Sequence, residues 1–135
     1  MPNQNASDEN VTAIASLIEA YHDRFSAGDI EGVLDLWAEQ GSVMEPGAQT
    51  ATGKEQLRAA YERGYAGAGY HFVCKIDGIV VGDNLGSVVS TADGTVTVKA
   101  TGDMMSISAR QIFAVQRVGG EWKLLHYMFQ EAPSA

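Results

Sequence analysis

Apolar residues recur at three- and four-residue steps through the first part of the chain, then at alternate positions from residue 70 onward. Val11, Ile14, Leu17, Ile18, Tyr21 and Phe25 share one face of a first helix, which Ser7 or Asp8 can cap. Gly28 is a natural stop for it, and Asp29 can cap a second helix with Ile30, Val33, Leu34 and Trp37 on one face. So short a link predicts an antiparallel or sharply angled pair. Val43-Met44-Glu45 reads as a short strand ended by Pro46-Gly47. Thr52 and Glu55 have capping-box spacing. They predict a third helix from Lys54 to about Tyr65, with Leu57, Ala60 and Tyr61 inward, ending among Gly64, Gly67 and Gly69.

Alternation then predicts four long strands over residues 72–81, 86–99, 106–117 and 121–131. Gly82-Asp83-Asn84 and Gly119-Gly120 supply tight turns, and residues 100–105 a looser connection. Helices followed by an antiparallel meander give an α+β fold, with the helices covering one face of a strongly curved sheet. The expected organisation is a flexible tail over residues 1–9, one domain over 10–131 and a short tail over 132–135.

The net charge of −8, without a Lys/Arg cluster, argues against nucleic acid or an anionic membrane as partner. Apolar runs are too short to span a bilayer. Residues 1–10 are polar and lack the features of a signal peptide, so a cytoplasmic protein is expected. The single Cys74 fits that compartment and, within a strand pattern, reads as a buried inert thiol. His22, His71 and His126 are widely spaced and form no metal-ligand pattern, so neither metal nor cofactor is expected. No Ser occupies a nucleophile elbow, and the glycines at 64, 67 and 69 are not a dinucleotide fingerprint.

The order of elements resembles the cone-shaped fold of the nuclear transport factor 2 superfamily, which includes ketosteroid isomerases and SnoaL-like polyketide cyclases. The carriers are Ala20-Tyr21, Gly28-Asp29-Ile30-Glu31, Val43-Met44-Glu45-Pro46, Gly53-Lys54-Glu55-Gln56-Leu57 and Glu121-Trp122-Lys123-Leu124. Together they cover about residues 10–131. The resemblance to ketosteroid isomerases places Glu45 at the general base, Tyr21 at the oxyanion-hole phenol and Tyr61 at a supporting tyrosine. Trp37 replaces a further pocket tyrosine. Gln111 falls where that family has a protonated Asp; its amide can donate a hydrogen bond but cannot copy a neutral acid. A one-residue slip would bring Arg110 into the cavity instead. The later strands are more similar to the SnoaL-like branch.

The resemblance also implies a cavity face on the last strand, formed by Leu125, Tyr127 and Phe129. With Trp37, Phe72 and Phe113 they would wall a site for a small hydrophobic molecule. Three functional readings follow. The first is a cofactor-independent enzyme in which Glu45 removes a proton beside a carbonyl. Tyr21, Tyr61 and Gln111 would stabilise the enolate, leading to isomerisation, cyclisation or elimination. The second is a non-catalytic binding or accessory protein. The third is an oligomerisation module with a filled pocket. The family resemblance implies a homodimer through the sheet, whose outer face would carry Thr95, Thr97, Thr101, Ser106 and Ser108.

Overall fold

The computed structural model describes residues 4–133. Its elements are α1 (Gln4–Ser26), α2 (Ile30–Leu34), β1 (Trp37–Met44), β2 (Ala51–Thr52) and α3 (Gly53–Gly67). Then come β3 (Ala68–Val81), β4 (Leu85–Val98), β5 (Met104–Val118) and β6 (Glu121–Glu131). The strands form one six-stranded sheet in the order β2-β1-β6-β5-β4-β3, antiparallel except where β1 runs parallel to β6. The expected α+β architecture, three helices against a curved sheet, is what the chain adopts.

The apolar stripe of α1 faces the sheet: Ile14 and Ile18 are fully buried, and Leu17 and Tyr21 nearly so. No Gly or Pro interrupts residues 4–26, so the helix begins at Gln4, upstream of the predicted cap at Ser7 or Asp8. The tail expected over residues 1–9 is therefore helical from residue 4, and residues 1–3 lie outside the described residues. Gly28, at φ +71°, turns the chain in a conformation that costs other residues strain. Asp29 then caps α2 as expected, accepting from the Gly32 amide at 2.9 Å.

Helix α2 is only one turn long. Trp37, expected on it, instead opens β1, because the backbone there pairs with β6 opposite Leu124. At α3 the predicted Thr52–Glu55 capping box is replaced. The Thr52 side chain makes no cap bond, and its amide donates to Gln56 Oε1 at 2.9 Å. Residue 94 must be glycine for the β3–β4 pair to bend as it does: a Cβ there would lie 1.9 Å from the His71 carbonyl oxygen.

One bulge decides which residues of β6 face the core. Val115 pairs with Leu124, but the next pair along is Ala114 with His126, so Leu125 is an extra residue. Upstream of it Trp122 and Leu124 point inward; downstream Tyr127 and Phe129 do. A single unbroken alternation would have put Leu125 in phase with Tyr127. The bulge removes it, and Leu125 is not part of the cavity wall. It lies with His126 in a shallow groove on the outer surface.

Candidate active-site cavity

Between α1, α3 and the concave face of the sheet lies an open cavity of about 280 Å³. Glu45 and Glu131 stand at its exposed edge, and the interior is aromatic, with Phe25, Phe72, Phe129 and five tyrosines. None of the residues lining it is Lys or Arg.

Each phenol hydroxyl can be followed to its partner. Tyr65 donates to the Phe25 carbonyl at 2.5 Å, and Tyr70 to the Gly64 carbonyl at 3.3 Å. Tyr21 and Tyr61 share one hydrogen bond of 2.8 Å, and Trp37 Nε1 donates to Tyr61 Oη at 3.3 Å. Two phenols joined by one hydrogen bond have two protons, of which that bond uses one. Trp37 fills one acceptor position on Tyr61, whose second lone pair or proton meets Tyr21, so either way one phenol proton of the Tyr21–Tyr61 pair is left for the cavity both residues line. On the far wall, Gln111 Nε2 donates to Tyr127 Oη at 2.5 Å and lies 3.0 Å from His22 Nε2. Ser90 Oγ donates to Gln111 Oε1 at 2.8 Å. Tyr127 is clamped flat between neighbours, stacked on Phe113 at 4.1 Å and on Phe129 at 5.2 Å.

Burial pushes every one of these phenols up from its ordinary value, Tyr61 to about 12 and Tyr21 and Tyr127 also strongly. For Tyr61 and Tyr70 the charge of Glu45 adds to the effect of burial, so the carboxylate is electrostatically close to both. Phenols of this kind remain protonated. They can donate to a developing oxyanion but cannot act as bases at neutral pH. The groups at the cavity able to take a proton are the carboxylates at the edge. His22 is less suited, since burial lowers its pKa and its ring nitrogens are engaged by Ile18 and Gln111.

The expected site residues thus divide. Glu45, Tyr21, Tyr61, Gln111, Phe72, Tyr127 and Phe129 line the cavity together. Glu45 is exposed at the mouth rather than buried. Trp37 and Phe113, expected as ligand contacts, are 1% and 0% exposed and lie behind the wall, supporting Tyr61 and Tyr127. Gln111, expected as an oxyanion donor, has its amide nitrogen engaged by His22 and Tyr127 instead. Arg110 is exposed on the opposite face, as strand alternation requires. The half-buried Cys74 has its thiol pKa raised by burial, in keeping with an inert role.

Sequence reasoning missed His22, Tyr65, Tyr70 and Glu131. The signals were present: His22 lies four residues after Ile18 and three before Phe25, Tyr65 four after Tyr61, and Tyr70 two before Phe72. Glu131 continues the inward phase of Tyr127 and Phe129. Among the described residues no cluster of His, Cys, Asp and Glu is arranged to hold a metal ion, and no helix is long and apolar enough to cross a membrane.

Residues 18–124 match the family model of the SnoaL-like domain. A ketosteroid isomerase-like protein from Erwinia carotovora atroseptica is similar in structure, with 26% identity and a TM-score of 0.89 over 93% of this chain and 98% of that one. So is a nuclear transport factor 2-like protein with a cystatin-like fold from Novosphingobium aromaticivorans, at 18% identity and TM-score 0.75 over 98% and 88%. A protein from the same organism described as a candidate scytalone dehydratase has 16% identity and TM-score 0.82 over 97% and 89%. No curated protein matches the chain.

Proposed function

The chain belongs to the SnoaL-like domain family, and from that premise we propose that it is a cofactor-independent enzyme acting on an uncharged, ring-bearing carbonyl compound. The observation that carries this reading is the Trp37–Tyr61–Tyr21 chain, which leaves a phenol proton for an apolar cavity with Glu45 at its mouth. A ligand entering with its carbonyl oxygen toward Tyr21 leaves its adjacent carbon nearer the carboxylate. Glu45 takes the proton from that carbon, the C–H electrons form the enolate double bond, and the carbonyl oxygen takes up the charge under the Tyr21 hydroxyl. Return of the proton to another carbon is an isomerisation; expulsion of a β-substituent is an elimination; attack on a second carbonyl is a cyclisation. The lack of a cationic residue in the lining, together with two edge carboxylates, disfavours an anionic substrate.

The exposure of Glu45 favours a second reading, a binding protein in which the carboxylate only orients the ligand. Deuterium uptake by 2-tetralone in heavy water, followed by proton NMR, separates the two. Catalysis predicts uptake well above the buffer rate. Glu45→Gln should remove it by about 10²-fold or more, and Tyr21→Phe should cost about 10²-fold. Tetralone that binds but exchanges no faster than in buffer would leave the binding reading standing.

A further inference from the structure

The hydrogen bonds behind Tyr127 determine where its proton points. His22 Nδ1 lies 2.8 Å from the Ile18 carbonyl oxygen, which can only accept, so Nδ1 carries the ring's hydrogen. Burial lowers the His22 pKa, which keeps the ring neutral near pH 7 and leaves Nε2 as an acceptor. The Gln111 group facing Nε2 at 3.0 Å must then be its NH₂, not its oxygen. Its second hydrogen goes to Tyr127 Oη, and its oxygen accepts from Ser90. Tyr127 Oη is therefore an acceptor toward Gln111. Among the described residues none accepts the Tyr127 proton in turn. Packed between Phe113 and Phe129, the ring presents that proton to the cavity it lines.

We propose that Tyr127 is a second hydrogen-bond donor to the ligand oxygen, opposite Tyr21, and that Gln111 and His22 are positioning residues that keep its proton turned toward the cavity. The two rings touch edge to face, 5.5 Å between centroids at 75°, and the Tyr127 hydroxyl interacts electrostatically with the Tyr21–Tyr61 pair. A ligand oxygen within reach of both hydroxyls is offered two donors, which suits a carbonyl or enolate oxygen with two lone pairs. The ligand class is then an uncharged polycyclic ketone entering carbonyl first, its ring body against Phe72 and Phe129. This rests on the carbonyl orientation proposed above, but not on Glu45 acting as a base.

The test uses 2-naphthol, whose oxygen stands in for the enolate, titrated by fluorescence, with the naphtholate absorbance band as a second readout. Tyr127→Phe keeps the ring packing and should weaken binding about 10-fold and reduce the naphtholate fraction. Gln111→Glu should do the same although Tyr127 is intact. A carboxyl group has at most one proton, cannot donate to both His22 and Tyr127, and so accepts the phenol proton. Combining the two changes should cost no more than either alone. Binding by Tyr127→Phe within twofold of the unaltered protein would overturn the proposal. So would a folded Gln111→Glu protein that binds normally. If Gln111→Glu fails to fold, Tyr127→Phe decides the matter by itself. Naphthol binding needs no base: a protein that exchanges no tetralone yet loses naphthol affinity in Tyr127→Phe would remove Glu45 as a base and leave Tyr127 as a donor, so the two proposals can fail separately.

Discussion

Ser90, Gln111 and Phe129 form one cross-strand row on the concave face of the sheet; Val89, Ile112 and Met128, each one residue away, form the matching row on the convex face. The inner row holds two polar side chains that are 0% and 5% exposed, while the three apolar residues of the outer row are 49–50% exposed. Composition alone would have assigned the faces the other way round. What separates them is partnership. Ser90 and Gln111 tolerate burial because Ser90 donates to the Gln111 oxygen while the Gln111 amide nitrogen is engaged by His22 and Tyr127. Toward the outside, Ser42 pairs with His126 at 2.8 Å; Ser42 is buried but His126 is exposed, so water reaches this pair from the His126 side. The same geometry is therefore worth more within the cavity than on the outer surface, because direction matters most where no solvent can substitute.

The comparison is broken most directly by neighbouring residues of β5. Phe113→Ala, at 0% exposure and stacked on Tyr127, should destabilise the fold by about 3–5 kcal/mol in urea melts. A cost below about 1 kcal/mol would mean that the wall behind Tyr127 is not packed as described. A smaller effect concerns His22. Its folded pKa lies below the ordinary value of 6.5, so the unfolded chain binds the proton more readily. Stability should be constant above that pH and fall as pH drops below it, and His22→Gln should flatten this part of the urea-midpoint profile. A profile unchanged by the substitution would remove His22 from the buried chain. The smallest effect is expected at Ile112→Ala, within about 0.5 kcal/mol for an exposed side chain. A cost that rises with protein concentration would instead reveal a second copy covering the convex face, the arrangement proposed for a homodimer.

Periodicity made most of the architecture legible. The α1 stripe, the Gly28–Asp29 junction and the four long strands follow from spacing and turn residues, and their predicted limits lie within a few residues of those observed. Trp37 escaped because its spacing from Val33 and Leu34 is helical, whereas its backbone hydrogen bonds are supplied by β6, more than eighty residues later. A non-local pairing of that kind leaves no mark in a local window. Glu45, Tyr21 and Tyr61 were placed at one cavity by resemblance, and the structure brings them there. Hydrogen-bond direction was not legible. Gln111 looked like a donor to a ligand because its amide can donate, but where those protons go depends on a histidine 89 residues away in sequence.

The extra residue at Leu125 gives β6 two reading frames in space. Before it, even-numbered side chains look inward; after it, odd-numbered ones do. If Leu125 were instead paired into the ladder, a single frame would hold throughout, and either Trp122 and Leu124 or Tyr127 and Phe129 would have to leave the interior. The core at the closed end and the cavity at the open end are thus written in different phases of one strand, and Leu125 is the punctuation that lets both be read.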